Sequence, residues 1–148
     1  PEDQIRQYWF VMLVKGPNRT QDSATAAQIQ QGHMANINRL YYEGKLKVAG
    51  PFGDGGNWQG IFIFDAGVEG CKTKEEMEQL LKSDPAILNG RLIYELKPWY
   101  TAAMGSFKPG IPEKKNWDEN LFINRSKFND FKQSIYADKN IYLFSIGW

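Results

Sequence analysis

The sequence is poorest in the side chains that most often build metal centres and cross-links: its 148 residues hold one cysteine, Cys71, and one histidine, His33. A lone cysteine excludes an internal disulfide framework, and a single histidine beside it excludes a Cys/His zinc site. Neither a metal nor a cofactor is expected. Long hydrophobic runs are lacking too. No apolar stretch approaches the roughly 20 residues that span a bilayer, so no membrane-embedded segment is expected. Charge of one sign is not in excess either: the net charge is +1 with both signs interspersed, and the basic footprint of a nucleic-acid binder is missing. The glycines at 53, 55 and 56 precede a β-prone run instead of a helix, so they cannot present helix-start amides to a phosphate. No serine stands in a strained nucleophile elbow, and Cys71 reads as an ordinary loop residue.

What is present is the material of one globular domain. A hydrophobic share of 42% and an aromatic share of 14% suit a chain that buries a proper core. Tyr8-Trp-Phe-Val-Met-Leu-Val14 is continuously apolar and β-prone, and Gly16-Pro17-Asn18 stops it, as expected of a strand covered on both faces. A helical pattern follows over 24–43, with Asp22 or Ser23 as its N-cap and Ala26, Ile29, Ile37, Leu40 and Tyr41 along one stripe. Gly44 is its natural stop. Strands are expected over 46–49 and 58–64, joined through the glycine-rich turn that follows Gly50-Pro51-Phe52.

Thr73-Lys-Glu-Glu76 has the form of a capping box ahead of a second helix over 74–82, with Met77, Leu80 and Leu81 as its apolar face. Asp84 then caps a short helical turn with Pro85 in its first position, ending at Asn89-Gly90. A fourth strand over 91–97 is closed by Pro98. The order βαββαβ predicts an α+β, ferredoxin-like domain: an antiparallel sheet with two helices on one face. Because the strands are apolar on both sides, the open face requires cover, and a homodimer is expected to supply it. The chain's own C-terminal segment is the competing cover. Residues 1–105 form the expected domain and 106–148 an extension: a Pro/Gly/Lys linker over 106–116, a helical pattern over 126–136 and a strand over 141–146.

Two residues stand out chemically. His33 lies four residues after Ile29 and four before Ile37, on the helix's apolar stripe, and imidazole titrates near working pH. In a βαββαβ fold that stripe can approach the turn after the second helix, where Asp84 sits. A carboxylate on one ring nitrogen would fix the tautomer and make the other nitrogen a better base. Each residue also has a plain structural explanation, a hydrogen-bonded core histidine and a helix cap. Phe52, Trp58 and Trp99 read more readily as core or dimer contacts than as ligand wall.

With those residues in view, Gly32-His-Met-Ala-Asn-Ile-Asn-Arg-Leu40, Glu43-Gly-Lys-Leu-Lys-Val-Ala-Gly-Pro-Phe52, Gly60-Ile-Phe-Ile-Phe64, Ser83-Asp-Pro85 and Lys97-Pro-Trp99 together resemble the YCII-related family over residues 8–100. The resemblance implies a ferredoxin-like subunit that dimerises into an α/β barrel, similar to muconolactone isomerases. It implies an active site on His33 and Asp84, and Gly50, Pro51, Phe52 and Trp99 become pocket wall. The chemistry it suggests is cofactor-independent proton transfer of lyase or isomerase type on a small cyclic or aromatic molecule, as in a chlorohydroxyhydroquinone dehydrochlorinase. A non-catalytic dimeric module binding a small ligand is the expectation of a different class. Many relatives carry arginine three residues before the histidine, where this chain has Gln30, so an anion-binding arginine is not implied there. The opening Pro1-Glu2-Asp3 lacks methionine, as expected of a trimmed chain or of one whose export signal has been removed. The resemblance to an exported subgroup favours a periplasmic or exported location over a cytoplasmic one.

Overall fold

A computed structural model of the chain describes residues 5–102 and 110–111. The expected helix and strand of the extension, over 126–136 and 141–146, lie outside the described residues. Among the described residues seven elements follow in order: β1 (Ile5–Lys15), α1 (Ser23–Tyr42), β2 (Leu46–Pro51), β3 (Trp58–Asp65), α2 (Lys74–Leu81), α3 (Pro85–Leu88) and β4 (Leu92–Ala102). The strands form one four-stranded sheet in the order β2-β3-β1-β4, with every neighbouring pair antiparallel. The domain is thus α+β, an antiparallel sheet with helices that fits the ferredoxin-like class in outline. Among the described residues no helix is long and apolar enough to cross a membrane.

The most apolar strand, β1, lies inside the sheet, with β3 on one side and β4 on the other. Alternation splits its side chains between two environments. Trp9, Val11 and Leu13 enter the helix-side core with Phe62 and Phe64 of β3 and with Ile29, Ile37 and Leu40 of α1. Tyr8, Phe10, Met12 and Val14 point the other way, across from Asp65, Ile63, Ile61 and Trp58. On that second face Tyr8 and Ile63 are buried, whereas Trp58, Ile93 and Trp99 are exposed. The doubly apolar character of β1 therefore corresponds to one closed face and one graded, partly open face.

Local chemistry sets the helix ends. Asp22 caps α1, its carboxylate accepting the Thr25 amide at 2.7 Å. Beyond the helix Gly44 adopts φ +79°, a conformation that disfavours any side chain. Thr73 caps α2 through the Glu76 amide at 3.1 Å, but the expected box closes differently. Glu76 reaches past Thr73 and accepts the Lys72 amide at 2.8 Å, satisfying a donor one residue earlier.

Pro98 does not close β4. The strand runs on to Ala102, with Pro98 opposite Trp9. β4 is an edge strand, where a residue without an amide proton can stand without breaking the ladder on both sides. Likewise Pro51 is the last residue of β2, the other edge, instead of lying beyond the strand. Cys71, expected as a loop residue, does lie between β3 and α2 but is fully buried in the core, and its carbonyl accepts the Trp9 indole N–H at 2.7 Å. Burial pushes its thiol up to about 11, with Lys45 pulling the other way, a direction that keeps the sulfur protonated at neutral pH.

Candidate functional site

The site is a meeting of α1 with the turn between α2 and α3. His33 occupies the middle of α1 on its buried stripe, with Ile29 and Ile37 one turn away on either side. Ser83 and Asp84 follow the end of α2 at Leu81, and Asp84 is the N-cap of α3. His33 Nδ1 and Asp84 Oδ2 stand 2.6 Å apart, the short distance of a charge-assisted hydrogen bond. The second carboxylate oxygen, Oδ1, accepts the Ala86 amide at 2.8 Å. One carboxylate thus performs two tasks, capping a helix and holding an imidazole. An ionised carboxylate only accepts, so opposite one the imidazole donates through Nδ1.

The pair is sealed. Side-chain exposure is 0% for His33 and 1% for Asp84, and the imidazole lies on the Phe62 ring with centroids 6.1 Å apart and planes 29° from parallel. In such a low-dielectric setting each partner depends on the other, because removing one leaves a buried polar group without compensation.

Close approach of the two helices makes the contact possible, and a glycine permits it. A Cβ at Gly32, the residue before His33, would lie 2.7 Å from the Pro85 ring. Glycine inside a helix costs about 1 kcal/mol relative to alanine, so a mid-helix glycine beside the only histidine was the signal available for its role. A second contact flanks the pair. Arg39 donates to Asn36 Oδ1 at 2.6 Å and to Ser83 Oγ at 3.4 Å, and Glu43 holds the guanidinium in turn. None of these residues carries a mark of this contact in the sequence.

Of the expected pocket wall, Phe52 and Trp99 stand at different edges of the sheet. Trp99 sits opposite Tyr8 on β4 and contacts that ring at 6.3 Å, on the sheet face away from Phe62 and His33. Phe52 lies beyond the end of β2, 6.0 Å from the Trp58 ring, near the opposite end of the sheet. Gly50 pairs with Ile61 and Pro51 with Gly60 at that same end. Within one chain, then, the structure unites His33 with Asp84 and places Phe52 and Trp99 at separate edges.

A second ionic cluster, unmarked in the sequence, stands at the Tyr8 end of the open face. Arg6 grips Asp65 through Nε at 3.1 Å and Nη2 at 2.8 and 2.9 Å, and Asp65 also accepts the Gly67 amide at 2.8 Å. Burial lowers the Lys47 ammonium from its ordinary value, against the pull of Asp65, while its Nζ donates to the Gly110 carbonyl at 2.6 Å. The Tyr8 hydroxyl is raised, first by burial and then by Asp65. Among the described residues no group of three or more His, Cys, Asp or Glu side chains gathers as metal ligands would. No protein-family model, curated protein or solved structure matches the chain.

Proposed function

We propose that this protein is a cofactor-independent enzyme of lyase or isomerase type, in which His33 moves a proton on a small cyclic or aromatic molecule and Asp84 holds the imidazole. The observation that carries this is the 2.6 Å contact between Nδ1 and the Asp84 carboxylate. Held that way, the ring presents one tautomer, and its imidazolium is stabilised when Nε2 takes a proton. A positioned base contributes typically about 10² to 10⁴ in rate, so binding orientation supplies the remainder. Membership of the YCII-related family, with its dimeric α/β barrel and exported location, belongs to the same proposal and rests on the motif residues from Gly32 to Trp99. In the dimer a second copy packs on the open face, where Trp58, Ile93 and Trp99 are exposed. A substrate then reaches Nε2 only when the wall around the fully buried imidazole opens.

That burial favours a second reading, a dimeric small-ligand-binding module in which the pair is a structural staple between α1 and α3. Turnover assays with lactones and chlorinated hydroxyquinols on the wild type, His33→Ala and Asp84→Asn separate the two. The enzyme requires turnover in the wild type and a loss of about 10² or more in both variants that still fold. Equal turnover in all three removes the dyad from the chemistry. Ligand-induced thermal stabilisation without turnover in the wild type supports the binding module.

A further inference from the structure

Asp84 is carried by a turn, and a turn that places a carboxylate on His33 needs a fastening of its own. The Ser83–Asp84 peptides are tied to α2 by the Ser83 amide to Leu80 O and the Asp84 amide to Leu81 O, both at 3.1 Å. Toward α1, the helix bearing His33, a separate link runs through side chains. Asn36 follows His33 by three positions on the same helix face and is 7% exposed. Its Oδ1 accepts from Arg39 Nη2 at 2.6 Å, and the same nitrogen reaches Ser83 Oγ at 3.4 Å. Ser83 Oγ lies 2.5 Å from Leu80 O and 3.3 Å from Asn36 Oδ1. A hydroxyl has one proton, and the shorter contact takes it, which leaves a lone pair facing Arg39. Glu43, one helical turn beyond Arg39, accepts from Nη1 at 2.9 and 3.2 Å and sets the plane of the guanidinium.

From this geometry we infer that Arg39 is a positioning residue: with Asn36 and Ser83 it latches the Asp84 turn to α1 and so sets the alignment of the Asp84 carboxylate on His33 Nδ1. The inference rests on the proton-transfer reading for its bearing on turnover, but the latch itself is a statement about geometry. At 47% exposure Arg39 contributes little to global stability as an ion pair. Its effect is confined to the register of the turn. A planar fork can meet Glu43 through one nitrogen while addressing Asn36 and Ser83 through another, which a lysine ammonium cannot reproduce.

Because His33 is the only histidine, protein labelled with ¹⁵N-histidine reports this one imidazole without assignment ambiguity. The measured quantities are the Nδ1–H proton resonance and its exchange rate with solvent in wild type, Arg39→Ala, Arg39→Lys, Ser83→Ala and Glu43→Gln. Arg39→Ala is expected to speed exchange by about tenfold, the factor for losing one hydrogen bond from a charged donor, and to move the resonance. Arg39→Lys recovers only part of this, Ser83→Ala gives a smaller change in the same direction, and Glu43→Gln the smallest. An unchanged resonance and exchange rate in Arg39→Ala, at unchanged circular dichroism, overturns the latch. Should Arg39→Ala fail to fold, Ser83→Ala decides by the same criterion. Altered exchange together with a wild type inactive on every substrate leaves the latch standing and removes the enzyme proposal.

Discussion

Two buried aspartates are held in this fold by opposite means. Asp65 and Asp84 each have a side chain at most 1% exposed, and each accepts one backbone amide, from Gly67 and Ala86 respectively. They differ in the cation. Asp65 is gripped by Arg6, whose guanidinium is permanently charged and 41% exposed, so water shares its solvation. Asp84 meets His33, which is fully buried and belongs to the one residue type that gains or loses charge near neutral pH. The first arrangement fastens through a bidentate guanidinium grip. The second can fasten and also hold or release a proton. Burial of a carboxylate therefore says little about function until its partner's chemistry and its access to water are known.

Removing a partner tests this difference most severely. Asp84→Ala leaves the sealed imidazole uncompensated and strips the cap from α3, and it is expected to destabilise the fold by about 3 to 5 kcal/mol in urea unfolding. A loss below about 1 kcal/mol would show that the pair is not sealed in solution. Gly32→Ala leaves the chemistry of the pair untouched and separates its two supports. The added methyl gains about 1 kcal/mol of helix propensity but meets the rigid Pro85 ring, and a net loss of about 1 to 3 kcal/mol is expected, with weakened His33–Asp84 contact by NMR. Greater stability with an intact contact would remove the close approach as a requirement.

Arg6→Ala should cost less than Asp84→Ala, about 1 to 2 kcal/mol, because water can reach part of the space that Arg6 vacates. Cys71 makes this change visible. Being buried, the thiol is expected to resist labelling by disulfide reagents in the native protein at pH 8, and loosening the Asp65–Gly67 turn should speed its labelling more than Asp84→Ala does at matched stability. The reverse order would show that the turn and the cysteine are uncoupled.

The smallest effect belongs to the exposed pair of Arg39 and Glu43. Burial pushes the Glu43 carboxyl up, but hydrogen bonds from Lys45 and Arg39 outweigh it and hold the group below its ordinary value of 4.5. With the folded value depressed, the stabilisation is fully present above that ordinary value and is lost as pH falls through the lower, folded one. Glu43→Gln should remove this contribution, under about 1 kcal/mol, and flatten that part of the stability profile below pH 4.5. An unchanged profile would assign the acid sensitivity to other carboxylates.

Much of the fold was legible because its signals are local. The Asp22 cap, the stripe of Ile29, Ile37 and Leu40, the glycine at 44 and the Asp84-Pro85 start of α3 each depend on residues a few positions apart. The strand ends were less legible, because Pro51 and Pro98 break strands in general and are tolerated here only through their place at the sheet edges. Within the site, His33 and Asp84 could be singled out by type and by the face each occupies. Arg39, Asn36 and Ser83 could not, since a contact across 44 positions leaves no mark in either segment.

By itself the sequence determined the kind of domain, the order of its elements and the residues able to hold a proton, because periodicity, caps and side-chain chemistry are properties of short segments. Tertiary structure alone decided that the expected meeting of His33 and Asp84, across 51 positions, is sealed from water, and that Phe52 and Trp99 stand apart at opposite ends of the sheet. Those are matters of packing between distant segments. Strand register and the clearance at Gly32 settle them, and neither is encoded in any one stretch of the chain.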